Sequence, residues 1–225
     1  MNRCQVLLSA AMSLDGFIDD KSPQRLLLSS AEDFAEVYAL RASCAAVLVG
    51  ATTVRLDNPA LVTKDAALRS ERIGKGLPAD PIKMTLTTSG DLDPGARFFQ
   101  LGAGRKVVYC PAASVDRVQE RLGAVAEIRG LGTTEVLAAD LVRDAAGLGV
   151  NRLLVEGGTS VITMFLREGV VDQIRLAIAP FLLGDRGRAR WVEPQRLPGC
   201  QRGAFELSEC RQCGGTAVLF LRRVP

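Results

Sequence analysis

The segment Arg152-Leu-Leu-Val-Glu156-Gly157-Gly158-Thr159 carries a short apolar run into two glycines, then into a stretch with helical spacing through Phe165 and Leu166. A buried strand, a glycine turn and a helix N-terminus in that order aim free backbone N–H groups and the positive end of the helix dipole at one point. A pyrophosphate suits that point, and a plain tight strand-to-helix turn is the other reading. The spaced glycines of the Rossmann fingerprint are missing, so the motif does not support that fold. A second turn has the same form. Ala45-Ala-Val-Leu-Val49-Gly50 reads as a buried strand ending in glycine, and Ala51-Thr52-Thr53-Val54-Arg55 begins a helix that Asp57-Asn58-Pro59 must stop. Two such turns in one sheet could embrace one dinucleotide.

Outward from these turns, short apolar runs alternate with amphipathic ones. Strands are expected at Cys4 to Ala10, Ala45 to Val49, Ile82 to Leu86, Lys106 to Cys110, Ala124 to Ile128, Arg152 to Val155, Gln173 to Ala179, Gly203 to Ser208 and Ala217 to Arg222. Helices are expected at Ser30 to Arg41, Thr134 to Gly147 and Thr159 to Glu168. The first of these has an N-cap serine, Glu32 and Asp33 in its opening turn and a closing Arg41. The alternation implies an α/β fold with a mostly parallel sheet, and the last three strands, with no helix between them, imply an antiparallel edge. The polar stretch Lys64 to Pro81 reads as a long surface loop, and no linker divides the chain, so residues 1–225 are expected to form one domain.

Composition sets the chemistry. There is no histidine among the 225 residues, which removes Ser-His-Asp, Cys-His and His-based zinc catalysis in one step. Carboxylates, Lys, Cys, Tyr or a cofactor must do the work, and 22 glycines favour a phosphate-bearing cofactor. The 28 Lys+Arg against 25 Asp+Glu leave a formal +3, too small an excess for a nucleic-acid partner. No apolar run approaches the ~18 residues of a membrane span, and Val6 to Ala11 lacks the length and charge of a signal peptide, so a cytoplasmic protein is expected. Cys210-x-x-Cys213 with Cys200 resembles part of a zinc site, but a simple turn between the last two strands is preferred and no metal is expected. Trp191 lies in a basic loop and reads as an anchoring ring. In Ala10-Ala11-Met12-Ser13-Leu14-Asp15-Gly16, the first strand ends in small and polar residues where open α/β sheets bind ligands; a type I′ turn at Asp15-Gly16 is the alternative.

Together, Met12-Ser13-Leu14-Asp15-Gly16, Leu40-Arg41-Ala42, Val49-Gly50 with Thr53-Val54-Arg55, Asp57-Asn58-Pro59, Val155-Glu156-Gly157-Gly158, Val171-Asp172 and Ala179-Pro180 with Leu183-Gly184 resemble the reductase family of riboflavin biosynthesis, in order and over nearly the whole chain. The resemblance implies a dihydrofolate reductase-like fold with helices on both faces of the sheet. It also implies NADPH-dependent reduction of 5-amino-6-(5-phosphoribosylamino)uracil, through an imine at the anomeric carbon that becomes a ribityl chain. The zinc deaminase domain often fused to such reductases, with its His-x-Glu motif, is not expected here. The implied site has Asp57 and Glu156 as catalytic candidates, Glu156 alternatively fixing the nicotinamide amide or ribose. Gly50, Thr53, Thr87, Ser89, Gly157, Gly158 and Thr159 would bind cofactor, and Ser13, Asp15, Asn58 and Lys64 substrate. Arg105-Lys106 is the expected partner of the adenosine 2′-phosphate, and a homodimer is expected through Gln173 to Ala179 and Ala217 to Leu221. The chain departs from the family pattern at Lys64, usually Arg; at Leu27, Trp in some bacterial members; and in Thr85-Leu86-Thr87-Thr88-Ser89-Gly90, where many members have an aspartate. A reductase acting on a pterin, deazaflavin or secondary-metabolite precursor, and a noncatalytic cofactor-binding relative, are the alternative readings.

Overall fold

The computed structural model describes residues 3–22, 24 and 26–224. Eleven strands and seven α-helices follow one another as β1 (Gln5–Ser13), β2 (Phe17–Asp20), α1 (Ala31–Ser43), β3 (Ala46–Gly50), α2 (Ala51–Asp57), α3 (Ala66–Gly74), β4 (Ile82–Leu86), α4 (Arg97–Gln100), β5 (Lys106–Pro111), α5 (Val115–Leu122), β6 (Glu127–Leu131), α6 (Ala138–Gly147), β7 (Arg152–Val155), α7 (Thr159–Arg167), β8 (Gln173–Ala179), β9 (Gly187–Arg190), β10 (Phe205–Cys213) and β11 (Thr216–Arg223). Nine strands form one sheet in the order β10-β11-β8-β1-β7-β3-β4-β5-β6, and β2 pairs with β9 in a separate ribbon. Every pairing from β8 to β6 is parallel, and β11 and β10 add the antiparallel edge.

Alternation along the central strands feeds two apolar layers. Val6 and Leu8 of β1, with Leu153 and Val155 of β7, pack on one side with Leu141 of α6 and Phe165 of α7. Leu7, Val47, Val49 and Leu154 face the other side, with Val54 of α2, Phe98 of α4 and Val118 of α5. Successive side chains of a strand point to opposite faces, so a parallel sheet buried on both sides reads as the unbroken apolar runs seen here. The dihydrofolate reductase-like expectation of a mostly parallel sheet covered on both faces therefore holds.

Charges are buried where they tie elements together. Arg175 of β8 pairs with Asp33 and, at 2.9 Å, with Glu36 of α1, and Glu36 in turn pairs with Arg211 of β10. Arg72 of α3 donates to the carbonyls of Ala42, Cys44 and Pro78. Lys83 of β4 donates to the carbonyls of Phe98 and Leu101, and burial, with a smaller push from Lys106, moves its ammonium down to about 8.

Several expectations need correction. The stretch read as a loop contains α3, opened by an Asp65 side chain that accepts the Leu68 N–H. Helix α6 starts at Ala138 rather than Thr134, because Glu168 accepts the Ala138 and Ala139 N–H groups at 3.0 Å and caps it from a distance. The first strand does not end in a type I′ turn, since Asp15 has no positive φ. Neither β8 nor β11 is an edge: β8 lies between β1 and β11, and β11 between β8 and β10, so the route to a dimer by extending those strands is closed. Cys210 and Cys213 sit three positions apart on β10 and therefore point to opposite faces, Cys213 toward Glu36, while the Cys200 thiol faces the Leu166 carbonyl. Trp191 packs on the first apolar layer as an anchoring ring, and its backbone N–H donates to the Gly16 carbonyl at 3.1 Å.

Candidate active site

The carboxyl ends of β1, β7, β3 and β4 lie side by side and open into a cavity of about 780 Å³. In open α/β sheets this is where ligands collect, because the loops there diverge and the following helices present their N-termini. The Gly50 N–H donates to the Gly157 carbonyl at 2.8 Å, so the two glycine turns recognised in the sequence are directly bonded. Gly157 and Gly158 have φ of 127° and 78°, a region closed to most side chains, and Gly158 caps α7 without any side-chain bond. The backbone N–H groups of Gly158, Thr159 and Ser160 have no protein acceptor among the described residues. That cradle fits a pyrophosphate, and so the dinucleotide the turns suggest.

Gly50, Thr53, Asp57, Thr87, Ser89, Glu156, Gly157, Gly158 and Thr159 all line the cavity. Their side chains are in different states. Glu156 is nearly buried, and both its oxygens accept from Arg41, Nε and Nη2, at 2.6 Å each. Burial opposes the Arg41 charge, but Glu156 overcomes this and holds the guanidinium above its ordinary value. Arg41 also lies over the Tyr38 ring, 5.3 Å from its centre. Thr87 Oγ1 accepts the Gly90 N–H and Ser89 Oγ the Asp91 N–H, so these hydroxyls shape the turn after β4. Thr159 Oγ1 donates to the Arg190 carbonyl at 2.6 Å, tying the start of α7 to β9.

The four expected substrate residues lie outside the lining of this cavity. Ser13 is buried and donates to Asp15 Oδ1 at 2.6 Å. Asp15 also accepts the N–H groups of Leu183 and Gly184, which fastens the end of β1 to the segment after β8. The Ser13 hydroxyl first, then those N–H groups working against desolvation, hold the Asp15 carboxyl down at about 2. Asn58 caps α2 in a left-handed conformation, and its Oδ1 accepts the Arg97 N–H at 2.7 Å. The Lys64 ammonium sits 5.3 Å from the centre of the same Tyr38 ring that carries Arg41. Arg105-Lys106 is misplaced as a cofactor clamp. It stands at the start of β5, at the amino end of the sheet, with Arg105 on Glu127 and Lys106 on the Gly102 carbonyl, whereas the cavity opens at the carboxyl end.

One wall was not foreseen. The β2–β9 ribbon supplies Ile18, Asp19, Arg188 and Ala189 to the cavity. Neither strand alternates cleanly between apolar and polar residues, and their partners are about 170 positions apart, so no local pattern announces them.

The RibD C-terminal domain family model matches residues 5–219. The chain belongs to that family. It is 34% identical over 184 residues to the 2,5-diamino-6-ribosylamino-4(3H)-pyrimidinone 5′-phosphate reductase of Archaeoglobus fulgidus, covering 82% of this chain and 84% of that protein. Among solved structures, a pyrimidine reductase-like protein of Corynebacterium diphtheriae superposes with a TM-score of 0.81 at 20% identity, over 100% of this chain and 93% of that one. The diaminohydroxyphosphoribosylaminopyrimidine deaminase/5-amino-6-(5-phosphoribosylamino)uracil reductase of Thermotoga maritima gives a TM-score of 0.78 at 22% identity, and this chain spans 57% of its length. Both likenesses establish the fold.

Proposed function

We propose that the chain is an NADPH-dependent reductase of riboflavin biosynthesis, which reduces the ribosyl group of a phosphorylated ribosylaminopyrimidine to ribityl. The observation that carries this reading is the bonded pair of glycine turns at the mouth of the cavity, with free N–H groups at Gly158 to Ser160. The relative from Archaeoglobus fulgidus, named as a reductase of a ribosylaminopyrimidinone phosphate and matched over most of both chains, supports the same reading.

When bound, the dinucleotide supplies the hydride. Gly157, Gly158 and the first turn of α7 hold its pyrophosphate through backbone donors, and Gly50 with Thr53 faces them from the neighbouring strand. The ring-opened substrate presents a C=N bond, whose carbon takes the hydride and whose nitrogen takes a proton. Asp57, which lines the cavity, delivers that proton, and Glu156, held through both oxygens by Arg41, positions the turn. Lys64 holds the substrate phosphate as a point charge, without the planar fork an arginine would offer. For the extra phosphate of NADPH, the exposed Arg55 and Arg117 bracket the Thr87 to Ser89 turn by donating to the carbonyls of Asp91 and Thr88. The protein acts as a cytoplasmic homodimer, and light scattering at micromolar concentration tests that: a monomeric mass removes the dimer.

The deciding experiment follows loss of nicotinamide absorbance with each of the two phosphoribosylaminopyrimidines, with dihydrofolate as control and mass spectrometry of the product. Turnover to a ribityl product with NADPH is expected. Binding of NADPH without oxidation by either pyrimidine would leave the noncatalytic reading standing.

A further inference from the structure

Part of the cavity lining is apolar. Ala10 and Ala11 of β1, Ile18 of β2, Leu26 and Leu28 before α1, and Phe34 of α1 contribute to it. An apolar lining accepts a heterocyclic ring, whose polar edge must then be matched by a polar group on the same wall. Asp19 stands there. It is half-buried on the wall, its Oδ1 accepts the N–H of its neighbour Asp20 at 3.0 Å, and Oδ2 has no protein partner among the described residues. The other two acids on the wall are differently placed: Glu156 is bound by Arg41, and Asp57 lies at the far end of α2 beyond the cofactor turn.

We infer that Asp19 reads the pyrimidine and selects a 2-aminopyrimidin-4-one over a uracil. This rests on the reductase reading above and settles which of its two substrates the site is built for. A 2-aminopyrimidin-4-one offers an exocyclic NH2 and the adjacent ring N3–H side by side, two donors at the spacing of one carboxylate's two acceptors. A uracil keeps N3–H but replaces the amine by a carbonyl oxygen. One hydrogen bond is then lost, and that oxygen's lone pairs face the carboxylate. Hydrogen bonds to a charged group are strong enough for this exchange to decide between the two rings.

The test compares kcat/KM for 2,5-diamino-6-ribosylamino-4(3H)-pyrimidinone 5′-phosphate and 5-amino-6-(5-phosphoribosylamino)uracil in the unmodified protein, Asp19→Asn and Asp19→Ala, each checked for folding by circular dichroism. The unmodified protein should prefer the diamino compound, and the ratio of the two efficiencies should fall by about ten- to a hundredfold in Asp19→Asn, whose amide can donate to a uracil oxygen. A second arm needs no turnover. Calorimetric binding of 2,5,6-triaminopyrimidin-4-one and of 5,6-diaminouracil to the NADPH-loaded protein should show the first ring favoured, and the difference abolished by Asp19→Ala. An unchanged ratio and unchanged ring preference in the variants overturn the role of Asp19 while the reductase reading survives. If neither phosphate is reduced but the ring preference and its loss in Asp19→Ala are observed, the reductase reading falls and the pyrimidine site stands.

Discussion

The cavity has two walls made in different ways. The glycine wall is local: β3 and β7 run straight into Gly50 and Gly157-Gly158, the turn bonds are between adjacent strands, and Glu156 is clamped by Arg41. The ribbon wall is assembled from β2 and β9, which lie about 170 positions apart in the chain and are held by Asp15 on Leu183 and Gly184, Arg190 on the Asp15 carbonyl and Thr159 on the Arg190 carbonyl. A cofactor that varies little needs a rigid cradle, and a short motif can encode it. A wall that touches the variable part of a substrate can be built of residues that follow no motif, provided a few polar latches hold it.

The largest expected effect breaks the clamp of the glycine wall. Arg41→Met leaves the nearly buried Glu156 carboxylate without its partner, and should cost on the order of 3 kcal/mol of stability, read as a lower denaturant midpoint. A loss within experimental error would mean that the clamp does not brace this wall. Next, Lys64→Ala should lower kcat/KM by about ten- to a hundredfold, mainly through KM, with NADPH affinity retained and Lys64→Arg tolerated. A substrate lacking its phosphate should suffer the same loss with the unmodified protein and little more with Lys64→Ala, because the two changes delete one interaction. Additive losses would place Lys64 away from the phosphate.

Gly158→Val should weaken cofactor binding by more than about tenfold in a folded protein, since a branched side chain resists the positive φ and crowds the N–H cradle. Unaltered binding would reduce the turn to a structural joint and erase the contrast between the walls. The smallest effect concerns the ribbon's latch. Asp15→Asn should raise KM for substrate a few-fold while leaving NADPH affinity nearly as it was, whereas a comparable loss of both would show that the walls move as one. Acid sharpens the same point: with its carboxyl at about 2 in the folded protein and near 3.8 when unfolded, Asp15 contributes stability above that range, and the contribution is lost as pH falls through about 2. Thermal unfolding of Asp15→Asn should therefore lack part of the acid sensitivity of the unmodified protein.

What could be read from the sequence follows the same division. Strands β4, β7 and β8 fall where the apolar runs place them, because each is buried on both faces and bounded by clear breaks. Helix α3 went unseen because the side chain it buries is Arg72, while Ile73 is exposed, so hydrophobic spacing misleads there. Helix α5 was legible and overlooked: Val118 and Leu122 stand one turn apart and are both fully buried. Strand β10 runs on to Cys213, past the expected end at Ser208, because an edge strand that is mostly exposed carries polar residues that look like a turn. In the site, the two glycine turns were legible through their spacing, and Asp57 and Glu156 through the family resemblance. Asp19 and Arg188 were not, since their place on the wall depends on a pairing that no window of sequence contains.

The Lys83 ammonium inside the sheet has a consequence for alkaline solutions. Folded, it releases its proton near pH 8; unfolded, near 10.5, so between those values the unfolded chain carries the extra proton. Raising the pH across that window therefore drives the equilibrium toward the folded form as far as this group is concerned. The buried thiols pull the other way. Desolvation holds Cys4 up at about 11 and raises Cys44 and Cys110, so an unfolded chain sheds those protons first and alkali favours it. The alkaline limb of the stability curve is thus a contest between one amine on one side and, on the other, several sulfurs and the Tyr109 phenol, which burial also pushes up. Replacing Lys83 by methionine should tilt it, making the protein lose stability more steeply above pH 8 than its parent does.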